Sequence, residues 1–68
     1  MQGTVKFFQD VQGYGFITGE DGEEYFVHRT KILPQGDRSP TLNRNQRVTF
    51  EPSEGPKGPS AIDVEALS

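Results

Sequence analysis

Gly13-Tyr14-Gly15-Phe16-Ile17, answered downstream by Tyr25-Phe26-Val27-His28, is the stretch on which the fold turns. Successive side chains of a strand point to opposite faces, so Tyr14 and Phe16 share one side while Gly15 and Ile17 share the other. The second run sorts in the same way, Phe26 and His28 against Tyr25 and Val27. Between the runs lies Thr18-Gly19-Glu20-Asp21-Gly22-Glu23-Glu24, whose Asp-Gly pair is a strong turn signal and predicts an antiparallel hairpin. With the turn centred on Asp21, Phe16 faces Phe26 and Tyr14 faces His28. Four flat rings then share one face of the hairpin, and Ile17 and Val27 point away into a core. A Phe ring left in water forgoes about 1.5–3 kcal/mol of burial, and several side by side mark a site or an interface. Hairpin parity alone leaves open the opposite assignment, with Phe16 and Phe26 inward.

Three further strands are predicted on either side. Gly3-Thr4-Val5-Lys6-Phe7-Phe8 is rich in β-branched and aromatic residues. Strict alternation groups Val5 with Phe7 and Lys6 with Phe8. Two adjacent aromatics are not both buried without a bulge or twist, so one of them is expected to be exposed. Gln46-Arg47-Val48-Thr49-Phe50-Glu51 alternates as a fourth strand, and Ala61-Ile62-Asp63-Val64-Glu65-Ala66 as a fifth with Ile62 and Val64 on one face. Phe8 and Phe50 are assigned to the core or its margin. The segment from Arg29 to Asn45 reads as a long loop with a short turn around Thr30-Lys31-Ile32-Leu33, and loops of that length in small domains commonly serve a function. Pro52 to Pro59, with three prolines and two glycines, reads as a turn-rich connection outside any sheet interior. Five short strands without a full helix predict an all-β fold, a small antiparallel barrel whose closure removes exposed edges.

Sixty-eight residues make one domain, 1–68, which buries only about 60% of the surface its unfolded chain exposes. A hydrophobic fraction of 31% is low, while five Phe among 10% aromatic residues argue against disorder, so the rings carry much of the packing or the binding. There is no cysteine, hence no disulfide framework or thiolate metal site. Neither a signal peptide nor an apolar run long enough to cross a bilayer is present, and a soluble, cytoplasmic monomer is expected. The net charge of −3 has the wrong sign for a protein that grips nucleic acid mainly through charge. Its distribution matters more: Glu20, Asp21, Glu23 and Glu24 crowd the hairpin turn, whereas Lys6, Arg29, Lys31 and Arg38 fall beside or after the aromatic strands.

The segments Gly3-Thr4-Val5-Lys6-Phe7-Phe8, Gly13-Tyr14-Gly15-Phe16-Ile17, Phe26-Val27-His28, Gln46-Arg47-Val48-Thr49-Phe50 and Gly55-Pro56-Lys57-Gly58-Pro59-Ser60-Ala61 together resemble the cold-shock domain of bacterial cold shock proteins. The resemblance spans nearly the whole chain, with its segments in order. It implies a five-stranded barrel of the oligonucleotide-binding (OB-fold) type that binds single-stranded RNA and DNA, with aromatics stacking on bases. Those roles fall on Lys6, Phe7, Tyr14, Phe16, Phe26 and His28; Arg29 and Lys57, read from their charge and place in this sequence, are expected to assist Lys6 at phosphate. It also implies a gene-regulatory or RNA-chaperone role in cold or other stress. Four departures stand out: the family usually has Trp at Phe7, Lys at Gln12, an aromatic at Arg29, and another aromatic in the long loop near Arg38 and Ser39. Each stacked base is worth about 1–3 kcal/mol, so two missing platforms imply weaker binding, in part offset by Arg29, whose guanidinium plane stacks on bases and pairs with phosphate.

Other chemistries find little support. His28 is the only histidine and has neither a nucleophile motif nor a second ligand beside it, so no enzyme activity, metal or cofactor is expected. Gly13, Gly15 and Gly19 lack the spacing and the following helix of a dinucleotide fingerprint; they let bases approach the backbone or permit the strand to twist. The RNA-recognition motif demands Lys or Arg at Gln12 and two helices that this chain lacks. The remaining rival is a protein-interaction or regulatory module using the same barrel face for a proline-rich or β-strand peptide.

Overall fold

The computed structural model describes residues 1–33, 42–56 and 58–67. Five strands run β1 Gln2–Gln9, β2 Tyr14–Gly19, β3 Glu24–His28, β4 Arg47–Gly55 and β5 Gly58–Ala66, with a single 3₁₀ turn at Arg29–Lys31 after β3. They close into a barrel in the order β1-β2-β3-β5-β4, with β4 returning to β1. Among the described residues the strands pair antiparallel except for the short parallel contact of β3 with β5 at Phe26 and Ser60, beside which Ile32 makes an isolated parallel bridge to Val64. The predicted all-β barrel of OB-fold type is therefore the fold observed.

The central hairpin has the predicted register: Tyr14 opposite His28, Phe16 opposite Phe26, Thr18 opposite Glu24. Its turn is closed by Gly22 N–H donating to the Gly19 carbonyl at 2.9 Å, with Gly22 at φ 86°, where a side chain would be strained. Inward-facing Val5, Ile17, Val27, Val48 and Val64 are fully buried. Tyr25 and Phe50 join them with ring centroids 5.0 Å apart, and Ile32, Leu42 and Ala61 complete the core.

Two bulges break the alternation that the sequence suggests. On β1 the register slips between Val5, opposite Ile17, and Phe7, opposite Phe16, with Lys6 as the extra residue. Val5 is buried while Phe7, two residues on, lies on the outer sheet face, so the expected grouping of these two is overturned. Phe7 and Phe8 are both half-buried: Phe8 packs against the core and Phe7 against Phe16, and neither is the exposed ring that was expected. The second slip sits on β5, where Thr49 opposes Glu65 but Glu51 opposes Ile62. Asp63 there adopts φ 52°. Val64 therefore points inward with Ala61, and Ile62 points out, half-buried, which corrects the expectation that Ile62 and Val64 share a face.

The proline-rich segment also differs from expectation. Pro52 lies opposite Ala61 and Pro59 opposite Glu54, so β4 and β5 run through the segment as a hairpin. Pro52 is accommodated because β1 pairs with β4 only from Arg47 to Thr49, which leaves this half of β4 as an edge. Gly15 has a role the sequence did not reveal. A Cβ there would strike the Phe7 carbonyl oxygen and come within 2.7 Å of the Phe8 Cα, so this glycine lets β1 cross β2 closely at the bulge. It is buried, and it offers no backbone to a ligand on the outer face.

Candidate functional site

The outer face of β1, β2 and β3 carries a connected strip of rings. Phe7 and Phe16 have centroids 5.6 Å apart and tilted by 50°; Phe16 meets Phe26 edge to face at 5.8 Å and 75°; Phe26 and Tyr14 lie at 5.8 Å, inclined by only 27°. All four are half-buried, each packed against at least one other ring of the strip. Such offset and edge-on pairs are favoured by the ring quadrupole, so the strip holds its shape before anything binds. The bulge at Lys6 places Phe7 in this strip, since it flips the strand over between Val5 and Phe7.

His28 sits opposite Tyr14 at the end of the strip. Its Nδ1 accepts from the Thr30 backbone N–H at 3.2 Å and lies 3.0 Å from the Thr30 hydroxyl. With Nδ1 an acceptor, the ring N–H is on Nε2, and the imidazole is fixed as the cap of the following 3₁₀ turn. The chain at Thr30 gave no sign of this partnership beyond being a hydroxyl two residues after the histidine.

Charges lie at the rim of the strip. Lys6 is exposed, and its Nζ donates to Glu24 at 2.7 Å in an ion pair whose two side chains are each about half exposed. A pair this wet is worth roughly 0.2–1 kcal/mol. Arg29 is exposed, with its backbone N–H donating to the Gly13 carbonyl at 2.8 Å. Two acids of the hairpin turn, Asp21 and Glu20, hold the fold together. Asp21 accepts from the Tyr25 hydroxyl at 2.7 Å and from Glu23 N–H at 3.0 Å, and Glu20 accepts from Gln2 N–H at 2.8 Å. The Tyr25 hydrogen bond first, then that of Glu23, hold the Asp21 carboxyl below the usual carboxylate range, and the same bond pushes the Tyr25 phenol up.

A groove of about 390 Å³ continues from the strip, lined by Phe26, His28, Lys31 and the β4–β5 hairpin residues Pro56, Ser60 and Ile62 among others. Sequence reasoning missed Ile62 here because the bulge at Asp63 is what turns it outward. The strip thus brings together Phe7, Tyr14, Phe16, Phe26 and His28, with Lys6 and Arg29 at its margins. Lys57 lies outside the described residues, as do Arg38 and Ser39. Among the described residues there is no cluster of three or more metal-ligating side chains and no helix long and apolar enough to cross a membrane.

Comparison with known proteins agrees with this architecture. The family model described as the 'Cold-shock' DNA-binding domain matches residues 1–67. The probable cold shock protein A of Mycolicibacterium smegmatis is 49% identical over 67 residues, covering 97% of each chain. Cold shock-like protein CspJ of Salmonella typhi is 50% identical over 66 residues, 96% of this chain and 91% of that one. Among solved structures, Drosophila Unr CSD456 superposes with a TM-score of 0.70 over 98% of this chain and 26% of its own, at 24% identity, a likeness of fold. With the barrel, the strip and relatives of matching length in hand, the chain belongs to the cold-shock domain family, whose members are nucleic-acid-binding and not enzymes.

Proposed function

We propose that this protein binds single-stranded RNA and DNA with low sequence specificity, successive bases stacking on Phe7, Phe16, Phe26 and His28 with Tyr14 alongside. The observation that carries the reading is the unbroken run of ring contacts at 5.6 to 5.8 Å across three strands, on the face of the sheet turned away from the core. Rings give every base a π-face to stack on, so this surface favours affinity without a strict code. Lys6 exchanges Glu24 for phosphate, and Arg29 and Lys57 add further cationic contacts. On a body of net charge −3 a few such contacts give a shallow salt dependence, about 0.7 log unit of affinity per contact for each decade of salt. Weak, fast, base-tolerant binding by a single domain acting as a cytoplasmic monomer suits an RNA chaperone or regulator of gene expression that keeps transcripts unpaired.

The test is a double variant, Phe16→Ala with Phe26→Ala, titrated with a short oligothymidine. Loss of binding with the barrel folded is the expected result. Unfolding of the variant would assign the rings to the core, and full retention of binding would remove them from the site. A proline-rich peptide that displaces the oligonucleotide would instead favour a protein-docking face.

A further inference from the structure

The Gly13–Arg29 row continues the hairpin one step beyond Tyr14 and His28. Gly13 has φ 77°, and a Cβ built on it would come within 2.8 Å of Arg29 Cδ, 3.2 Å of its Nε and 3.3 Å of its Cγ. The stem of Arg29 therefore occupies the space that any other residue at position 13 would fill. The root of the side chain is fixed as well, by the 2.8 Å bond from Arg29 N–H to the Gly13 carbonyl. Because β3 ends at His28 and Arg29 opens the 3₁₀ turn, strand alternation no longer directs this side chain inward, and it is exposed. No acid among the described residues engages its guanidinium, whereas Lys6 at the other margin is held by Glu24. A planar fork of donors with its stem pre-seated, and with no acid on it among the described residues, thus stands beside the end of the ring strip.

A fork of that kind selects by edge. Guanine alone presents two adjacent acceptors, O6 and N7, on its major-groove edge; adenine replaces one with an amino donor, and thymine or uracil offers a single carbonyl there. We propose that Arg29 reads guanine in a bound single strand, its guanidinium donating to O6 and N7 of one base while the neighbouring bases stack on the ring strip. The inference rests on the stacking function proposed above. It makes the site selective at one nucleotide and tolerant at the rest, and it assigns Gly13 the part of seating the arginine.

The test compares a short oligothymidine with a set in which one thymine at a time is replaced by guanine, using the wild-type protein and Arg29→Lys. Lysine keeps the charge but loses the fork. The wild type is expected to favour guanine at one position by about 5- to 150-fold. Arg29→Lys is expected to lose that preference, its affinity falling more for the guanine-bearing strand than for oligothymidine. Oligothymidine binding without any positional guanine preference, or a preference that survives in Arg29→Lys, overturns the assignment and leaves the stacking function standing. A matching series with cytosine, whose N3 and O2 are also adjacent acceptors, overturns it if cytosine is favoured equally or more. Absence of binding to every oligonucleotide would overturn both readings together.

Discussion

The two faces of one hairpin use aromatic pairs for opposite ends. On the inner face Tyr25 meets Phe50 at 5.0 Å, each almost wholly out of solvent among Ile17 and Val27. On the outer face Phe16 meets Phe26 at 5.8 Å, and both stay only half-buried although each is next to a core residue in sequence. Ring type and ring pairing do not distinguish the two. What differs is the enclosure: the inner pair is walled by the closed barrel, while the outer pair is flanked by Phe7 and Tyr14 on the outer face of the sheet. In a domain of 68 residues, leaving that much aromatic surface open is a cost to stability that a binding partner can recover.

Substitutions should therefore separate the faces by which property they damage. The largest effect is expected inside. Ile17→Ala removes a fully buried side chain and should cost about 2–5 kcal/mol, read as a lower urea midpoint, and a change confined to oligonucleotide affinity would put Ile17 on the wrong face. On the outside, Phe26→Ala alone should weaken oligothymidine binding by about 1–3 kcal/mol. Its loss of stability, measured in the same denaturation experiment, should be smaller than that of Ile17→Ala. Equal losses for the two variants would erase the distinction.

The register of the hairpin was legible in the sequence because it follows from the turn, which Asp21-Gly22 marks plainly, whereas parity alone left open which of its two faces is the core. Elsewhere the sequence carried no equivalent marker. Lys6 and Asp63 are the pivots of the two bulges, yet neither is the glycine that commonly signals one, and their effects on Phe7 and Ile62 emerge only when the partner strands are laid beside them. Pro52 and Pro59 looked like strand breakers because the sequence does not say where β1 stops pairing with β4. The expected pairings of Tyr14 with His28 and of Phe16 with Phe26 are the observed ones. The seat of Arg29 on Gly13 and the His28–Thr30 cap depend on three-dimensional proximity and had no one-dimensional signature.

Smaller effects sharpen the comparison at the rim. Lys6→Ala should change stability by no more than about 0.2–1 kcal/mol, since its pair with Glu24 is half exposed. It should also lower the salt slope of oligonucleotide binding by about 0.7 log unit per decade, and an unchanged slope would remove Lys6 from the phosphate contacts. Asp21 ties the turn to the inner face through Tyr25. Because its folded-state pKa is lowered, its contribution is present at neutral pH and is lost as pH falls from the ordinary carboxylate range through the lowered value. Asp21→Asn should flatten that acid limb of a stability-versus-pH curve and leave binding at neutral pH unchanged. A variant whose acid limb matches the wild type would assign the pH dependence to other carboxylates.

The division between a packing face and a binding face is tested most directly by following backbone amide signals of the wild-type hairpin while oligothymidine is added. The account predicts that the amides of Phe7, Tyr14, Phe16, Phe26 and His28 shift progressively and saturate, while those of Val48 and Val64, on the core side of β4 and β5, stay nearly still. Saturating shifts concentrated on β4 and β5 with the hairpin unmoved, or no shifts at high oligonucleotide concentration, would contradict it.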